Sequence, residues 1–326
     1  MRQLPLGTIR NLQASSTPNG QFAIIAVDHR DALRALMNPL EPGSVSAREL
    51  EDFKISIASI LGPEASAVLL DPMYSAPQVI AMEKFPFNRA MLVALEEQGY
   101  LGDPFSRRTT LIEGWGVEKA KRMGANGVKV LLFYHPQGGE GTQAQLDFVQ
   151  SIVAECDRFE IPLFLEPISY SPNPDIKKGT IEFSRLKPGI IMESAKQLSA
   201  LGAHILKVEF PMDARYEKNH RIWEMACQEL SGVCLSPWVL LSAGEPFEIF
   251  KEQLEIACKA GCSGFAVGRA VWQEAIPLQG HERIQFLHAI AIPRLKELFD
   301  ITLANGNPWR KYYSSPQVHP DWYRTY

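Results

Sequence analysis

Lys207 lies inside HILKVEFP (204–211), a short apolar run of the kind that becomes a buried strand. Ile205, Leu206, Val208 and Phe210 flank it with apolar bulk, and desolvation in such surroundings lowers an amine's pKa towards neutrality. A second lysine, Lys129, occupies the run GVKVLLFY (127–134) and would push in the same direction if the fold brought it near. A neutral amine is what attack on a carbonyl requires. Asp28 in FAIIAVD (22–28) and Glu166 in PLFLEPIS (162–169) supply carboxylates for the proton transfers of a Schiff-base reaction. Iminium formation loses water, carbon–carbon cleavage removes a hydroxyl proton, and the enamine is reprotonated; a carboxyl of raised pKa can serve each step. The bland alternative is a structural network in which two carboxylates neutralise two lysines.

Further polar residues close other apolar runs. Asp71 ends ASAVLLDP (65–72), Glu209 follows Lys207 on the same face of its strand, and His29 and Arg30 follow Asp28. WVLLSAG (238–244) carries Ser242 and Gly244, and GFAVGRA (264–270) carries Gly268 and Arg269. Glycines let a backbone approach an anion closely, and an arginine beside them can hold it with a forked pair of N–H donors.

The runs that must position these residues number eight, with RAMLVALEE (89–97) the least clear because Ala, Leu and Glu equally suit a helix. Amphipathic stretches separate them, among them 50–61, 116–125, 142–159 and 246–260, and several end in a glycine that leads into the next run. Eight alternating strand–helix units predict a (β/α)₈ TIM barrel spanning the chain as one domain. Its core covers about 20–305, with a short N-terminal extension (1–21) and an aromatic C-terminal tail (306–326) as appendages. The tail reads as a segment that docks on the barrel or on a neighbouring subunit, so a homo-oligomer is an expectation.

Composition narrows the partners. A formal net charge of -4 lacks the basic excess that nucleic acid demands. The opening residues hold no continuous apolar core, and no run approaches the roughly 20 residues of a membrane span, so a cytoplasmic protein without membrane association is expected. Cys156, Cys227, Cys234, Cys258 and Cys262 read as buried reduced thiols. The histidines show no paired spacing that would suggest a metal site, and no cofactor is expected.

Six separated segments, AIIAVDHRDAL, GVKVLLFYHP, IPLFLEPISY, ILKVEFP, LLSAGEPFEIF and GFAVGRAVW, resemble in order the tagatose 1,6-bisphosphate aldolase family. These are class I aldolases that include the related sulfofructosephosphate aldolases. The resemblance runs from about residue 20 to about residue 310. It implies that Lys207 is the Schiff-base lysine, that Asp28, Lys129 and Glu166 are its acid–base partners, and that Ser242, Gly244, Gly268 and Arg269 hold the phosphate of the ketone half. Arg30 would reach the far end of the sugar. His29 departs from the family pattern, which has glutamine there, and so leaves the aldehyde-side specificity open. The implied reaction splits a ketose 1,6-bisphosphate, D-tagatose 1,6-bisphosphate first among candidates, into dihydroxyacetone phosphate and D-glyceraldehyde 3-phosphate. Alternatives are sulfofructosephosphate cleavage by the same lysine and a non-catalytic barrel that senses sugar phosphates.

Overall fold

Eight parallel strands pair in sequence order and the last returns to the first, closing a barrel. They are β1 (Phe22–Ala26), β2 (Ala67–Leu70), β3 (Ala90–Ala94), β4 (Gly127–Tyr134), β5 (Leu163–Ser169), β6 (Ile205–Val208), β7 (Trp238–Leu241) and β8 (Gly264–Val267). Closure is made by Phe22 opposite Gly264 and Ala23 opposite Phe265. The structure is a computed structural model that describes residues 1–324 and 326; Thr325, in the C-terminal tail, lies outside the described residues.

The side-chain period of two sorts every strand into two cores. Phe22, Ile24 and Ala26 of β1 meet Ala67, Leu92, Phe164, Ile205 and Val239 inside the barrel. Ala23, Ile25, Val68, Val93, Val128 and Leu165 face outward and bury the helices' apolar stripes. Inside, Phe22 and Phe164 pack edge to face with centroids 5.7 Å apart and fill the lower barrel. Alternation also settles the third run. Its Ala90, Leu92 and Ala94 point inward while Met91 and Val93 point outward, so burial on both faces makes a strand of residues whose propensities suit a helix.

The crossover helices begin where local chemistry allows. Ala47–Leu61 starts with a capping box, Ser46 accepting from the Glu49 N–H while the Glu49 carboxylate accepts from the Ser46 N–H. Thr180 and Asn219 cap Ile181–Ala200 and His220–Val233 through their side-chain oxygens.

The two termini are not mere appendages. Arg2–Gln3 pairs in parallel with Tyr313–Ser314, and Leu4, Ile9, Leu12, Trp309 and Tyr313 join the inner core. Trp309 donates its indole N–H to Ser16 Oγ at 3.0 Å, and Tyr313 donates its hydroxyl to the His204 carbonyl at 2.6 Å. The first half of the tail therefore packs on its own barrel. The physical reason is that a barrel interior is open at its N-terminal end and its lowest apolar layer needs a cover. Trp322, Tyr323 and Tyr326 remain exposed to different extents. Among the described residues no helix is long and apolar enough to cross a membrane.

Candidate active site

Inward parity carries five ionisable side chains to the top of the barrel. Asp28 continues the inner row of β1, Lys129 and Glu166 lie in β4 and β5, and Lys207 lies in β6. Glu96 continues the inner row of β3 two residues beyond its end. All five are at most 8 % exposed and line a cavity of about 320 Å³, within the roughly 300–1,000 Å³ of small-molecule sites.

Glu166 joins the two lysines. Its Oε1 is 2.9 Å from Lys207 Nζ and its Oε2 is 3.0 Å from Lys129 Nζ. Lys129 is also 2.9 Å from Asp28 Oδ2 and 2.7 Å from Glu96 Oε1, so three carboxylates converge on one ammonium. Burial alone would lower the Lys129 pKa, but Asp28, Glu166 and Glu96 outweigh it and raise the pKa well above the usual lysine range. Lys129 is thus a fixed cation at the centre of the cluster.

The same electrostatics separate the three acids. Burial favours protonation of each. For Asp28 and Glu166 the nearby Lys129 and Lys207 charges win, and both carboxyls are held below their ordinary values. For Glu96 burial wins, reinforced by the Asp28 charge, and its pKa is raised. The expectation of a raised carboxyl beside the reactive lysine is corrected here, because each of the two acids named from the sequence has two lysines close enough to offset burial. The raised one is Glu96, with Oε2 buried and unpartnered.

The residues expected to hold an anion lie at the ends of β7 and β8. Ser242, Gly268 and Arg269 line the cavity. A side chain at Gly268 would come within 2.9 Å of the Ala26 carbonyl and 3.0 Å of the His29 ring, so only glycine leaves this approach open. Arg269 Nε is buried without a partner. Gly244 borders neighbouring clefts instead of the central cavity. Its φ of +83° follows Ala243 at +50°, and Arg269 Cζ would lie 3.2 Å from an added Cβ, so the glycine makes room for the guanidinium.

Over residues 22–274 the chain matches the DeoC/LacD family aldolase group. The chain belongs to that family. This aldolase is 30% identical to the tagatose 1,6-diphosphate aldolase of Listeria monocytogenes serotype 4a (strain HCC23), with 98% of each chain covered. It is 29% identical to tagatose 1,6-diphosphate aldolase 2 of Streptococcus mutans serotype c, covering 92% of this chain and 95% of the relative. Among solved structures, its fold is similar to that of an archaeal fructose 1,6-bisphosphate aldolase (TM-score 0.59, 19% identity, 89% and 99% covered). It is also similar to the Plasmodium falciparum fructose-bisphosphate aldolase (TM-score 0.68, 14% identity, 94% and 98% covered). The protein is an aldolase, and so a lyase.

Other residues singled out in the sequence take different places in the aldolase. Asp71 turns outward and forms a fully buried ion pair with Lys54 of the helix Ala47–Leu61, while its Oδ1 accepts the Met73 and Tyr74 N–H groups. It holds a strand to a helix. Glu209 lines the cavity but is occupied, accepting from Lys178 at 2.6 Å and from the Ser169 N–H and hydroxyl at 2.8 and 2.6 Å. His29 packs edge to face on Trp272, and burial, with the Arg269 and Lys207 charges adding to it, lowers its pKa to about 4 although Asp28 lies close. Its imidazole is neutral at neutral pH. Arg30 lines the cavity with its guanidinium already engaged, donating to the Glu96 carbonyl at 2.6 Å. The cysteines are buried and free.

Glu96 is the residue that sequence reasoning missed. The signal was present in the parity of Ala90, Leu92, Ala94 and Glu96, but it is readable only once the segment is known to be a strand.

Proposed function

We propose that this aldolase cleaves D-tagatose 1,6-bisphosphate to dihydroxyacetone phosphate and D-glyceraldehyde 3-phosphate through a Schiff base on Lys207. The observation that carries the reading is Glu166 Oε1 at 2.9 Å from Lys207 Nζ inside a closed ring of strands, because a nucleophilic amine needs a proton acceptor already in contact. Two relatives that match nearly their full length carry the name tagatose 1,6-diphosphate aldolase, which supports the substrate.

Lys207 gives a proton to Glu166 and attacks the C2 carbonyl of the ketose phosphate, forming a carbinolamine. Proton return to the carbinolamine hydroxyl expels water and leaves an iminium. A carboxylate, Asp28 or Glu166, removes the C4 hydroxyl proton. The C3–C4 bonding electrons then flow into the iminium, the aldehyde departs, and an enamine remains. Protonation at C3 and hydrolysis release dihydroxyacetone phosphate and restore the amine. Lys129 keeps its charge throughout and orients Asp28, Glu166 and Glu96, which together take up its three N–H donors. Glu96, whose pKa burial raises, has its unpartnered Oε2 available to a sugar hydroxyl. Ser242, the Gly268 backbone and Arg269 hold the phosphate next to C1. A cytoplasmic location follows from the metabolic role of such a substrate.

Incubation with dihydroxyacetone phosphate and borohydride in the presence of a chelator, followed by peptide mapping, tests the assignment. A reduced adduct on Lys207 is expected. No adduct, or one confined to Lys129, sinks it. Assaying tagatose 1,6-bisphosphate beside 6-sulfofructose 1-phosphate then fixes the substrate.

A further inference from the structure

The ring order sets where the second end of the substrate must go. With eight strands in sequence, β3 stands opposite β7 and β4 opposite β8. A sugar anchored at Ser242, Gly268 and Arg269 therefore points its aldehyde half towards the ends of β3 and β4. Arg30, the residue that the family resemblance places at that end, is 4 % exposed and committed to the Glu96 carbonyl, with the Glu97 carboxylate 3.8 Å away. Lys178 is committed to Glu209.

Arg107 is differently placed. It is carried by the loop that follows β3, a hairpin fixed by bridges between Glu96 and Leu111 and between Leu101 and Arg108. Its guanidinium lies 4.5, 4.6 and 4.9 Å from the ring centroids of Tyr100, Phe133 and Tyr170. Phe133 belongs to the inner row of β4 and lines the catalytic cavity, so the cage sits at its rim. Nε donates to the Pro104 carbonyl at 2.7 Å, and among the described residues no carboxylate pairs with the guanidinium. Three aromatic rings surround the cation, and apart from the Nε bond to Pro104 no hydrogen bond joins the guanidinium to another described residue. An immobilised cation with free forked donors suits a tetrahedral anion.

We propose that Arg107 binds the terminal anion, phosphate or sulfonate, on the aldehyde half of the substrate. The proposal rests on the aldolase reading and deepens it: the caged arginine makes the enzyme select ketose 1-phosphates that carry a second anion at C6.

Cleavage of three substrates tests it: tagatose 1,6-bisphosphate, 6-sulfofructose 1-phosphate and tagatose 1-phosphate, with the wild type, Arg107→Ala, Arg107→Lys and the exposed neighbour Arg108→Ala. In Arg107→Ala, kcat/KM for the doubly anionic substrate should fall about 10- to 100-fold, the usual worth of a hydrogen bond to a charged group, chiefly through KM. Turnover of tagatose 1-phosphate should stay within about twofold, showing that the fold and Lys207 chemistry survive. Arg107→Lys should recover part of the loss and Arg108→Ala should lose nothing. The wild type's preference between the first two substrates identifies the anion. An unchanged ratio of doubly to singly anionic substrate in Arg107→Ala, whether activity persists or falls, overturns the proposal. A wild type that cleaves none of the three overturns the aldolase reading beneath it.

Discussion

Glu166 and Lys207 meet through one carboxylate oxygen at 2.9 Å, and the other oxygen is held 3.0 Å from Lys129. One acid thus contacts the proposed nucleophile while a charged lysine fixes its orientation. Changing Glu166 to Gln keeps the shape and removes the proton acceptor. The kcat for cleavage should fall about 10²- to 10⁴-fold, the range of a lost acid–base group, while Lys129 keeps two other carboxylate partners and the fold persists. Steady-state kinetics with circular dichroism checks this; a loss below about threefold would remove Glu166 from the mechanism.

Glu96 offers a pH test. Its folded pKa is raised, so its stability contribution is complete below the ordinary glutamic acid value of about 4.3 and is lost as pH rises through the folded value. Glu96→Gln lacks that loss. Denaturant unfolding across pH should therefore show the variant gaining on the wild type as pH increases. A difference independent of pH would mean that Glu96 titrates alike in the folded and unfolded chains.

His29 gives the opposite window. Its pKa is lowered to about 4, so the unfolded chain takes up a proton below about pH 6.5 that the folded protein refuses. The contribution is complete above about pH 6.5 and declines as pH falls towards about 4, by an amount on the order of 3 kcal/mol. His29→Gln should flatten this part of the stability profile. Identical profiles would show that the imidazole protonates without cost in the fold.

Trp309 seals the lower barrel at 2 % exposure. Trp309→Ala should cost about 3–5 kcal/mol, as for other large buried aromatics, with cleavage per folded molecule unchanged because the site lies at the opposite end. Removing residues 311–326 takes away the Tyr313 hydroxyl's bond to the His204 carbonyl and should lower stability without altering the number of subunits found from solution mass. Fewer subunits would show that the tail holds them together.

The chain itself announced the barrel, because eight apolar runs and the helices between them are local patterns set by burial on one or two faces. It also announced Lys129, Glu166 and Lys207, since a charged residue within a strand-like run is visible without any partner. Tertiary structure decided which charges meet. Asp71 looks like Asp28 in the sequence, yet the turn after β2 sends it to Lys54 outside the barrel. Glu96 became a member of the cluster only when packing on both faces made its segment a strand. The pKa order of the three acids was also beyond sequence, because burial and ammonium charges oppose each other and only distances tell which prevails. Arg107 is the clearest case: its aromatic neighbours come from the loop after β3, the end of β4 and the segment after β5, and the pairing of these three neighbouring strands brings them around one guanidinium.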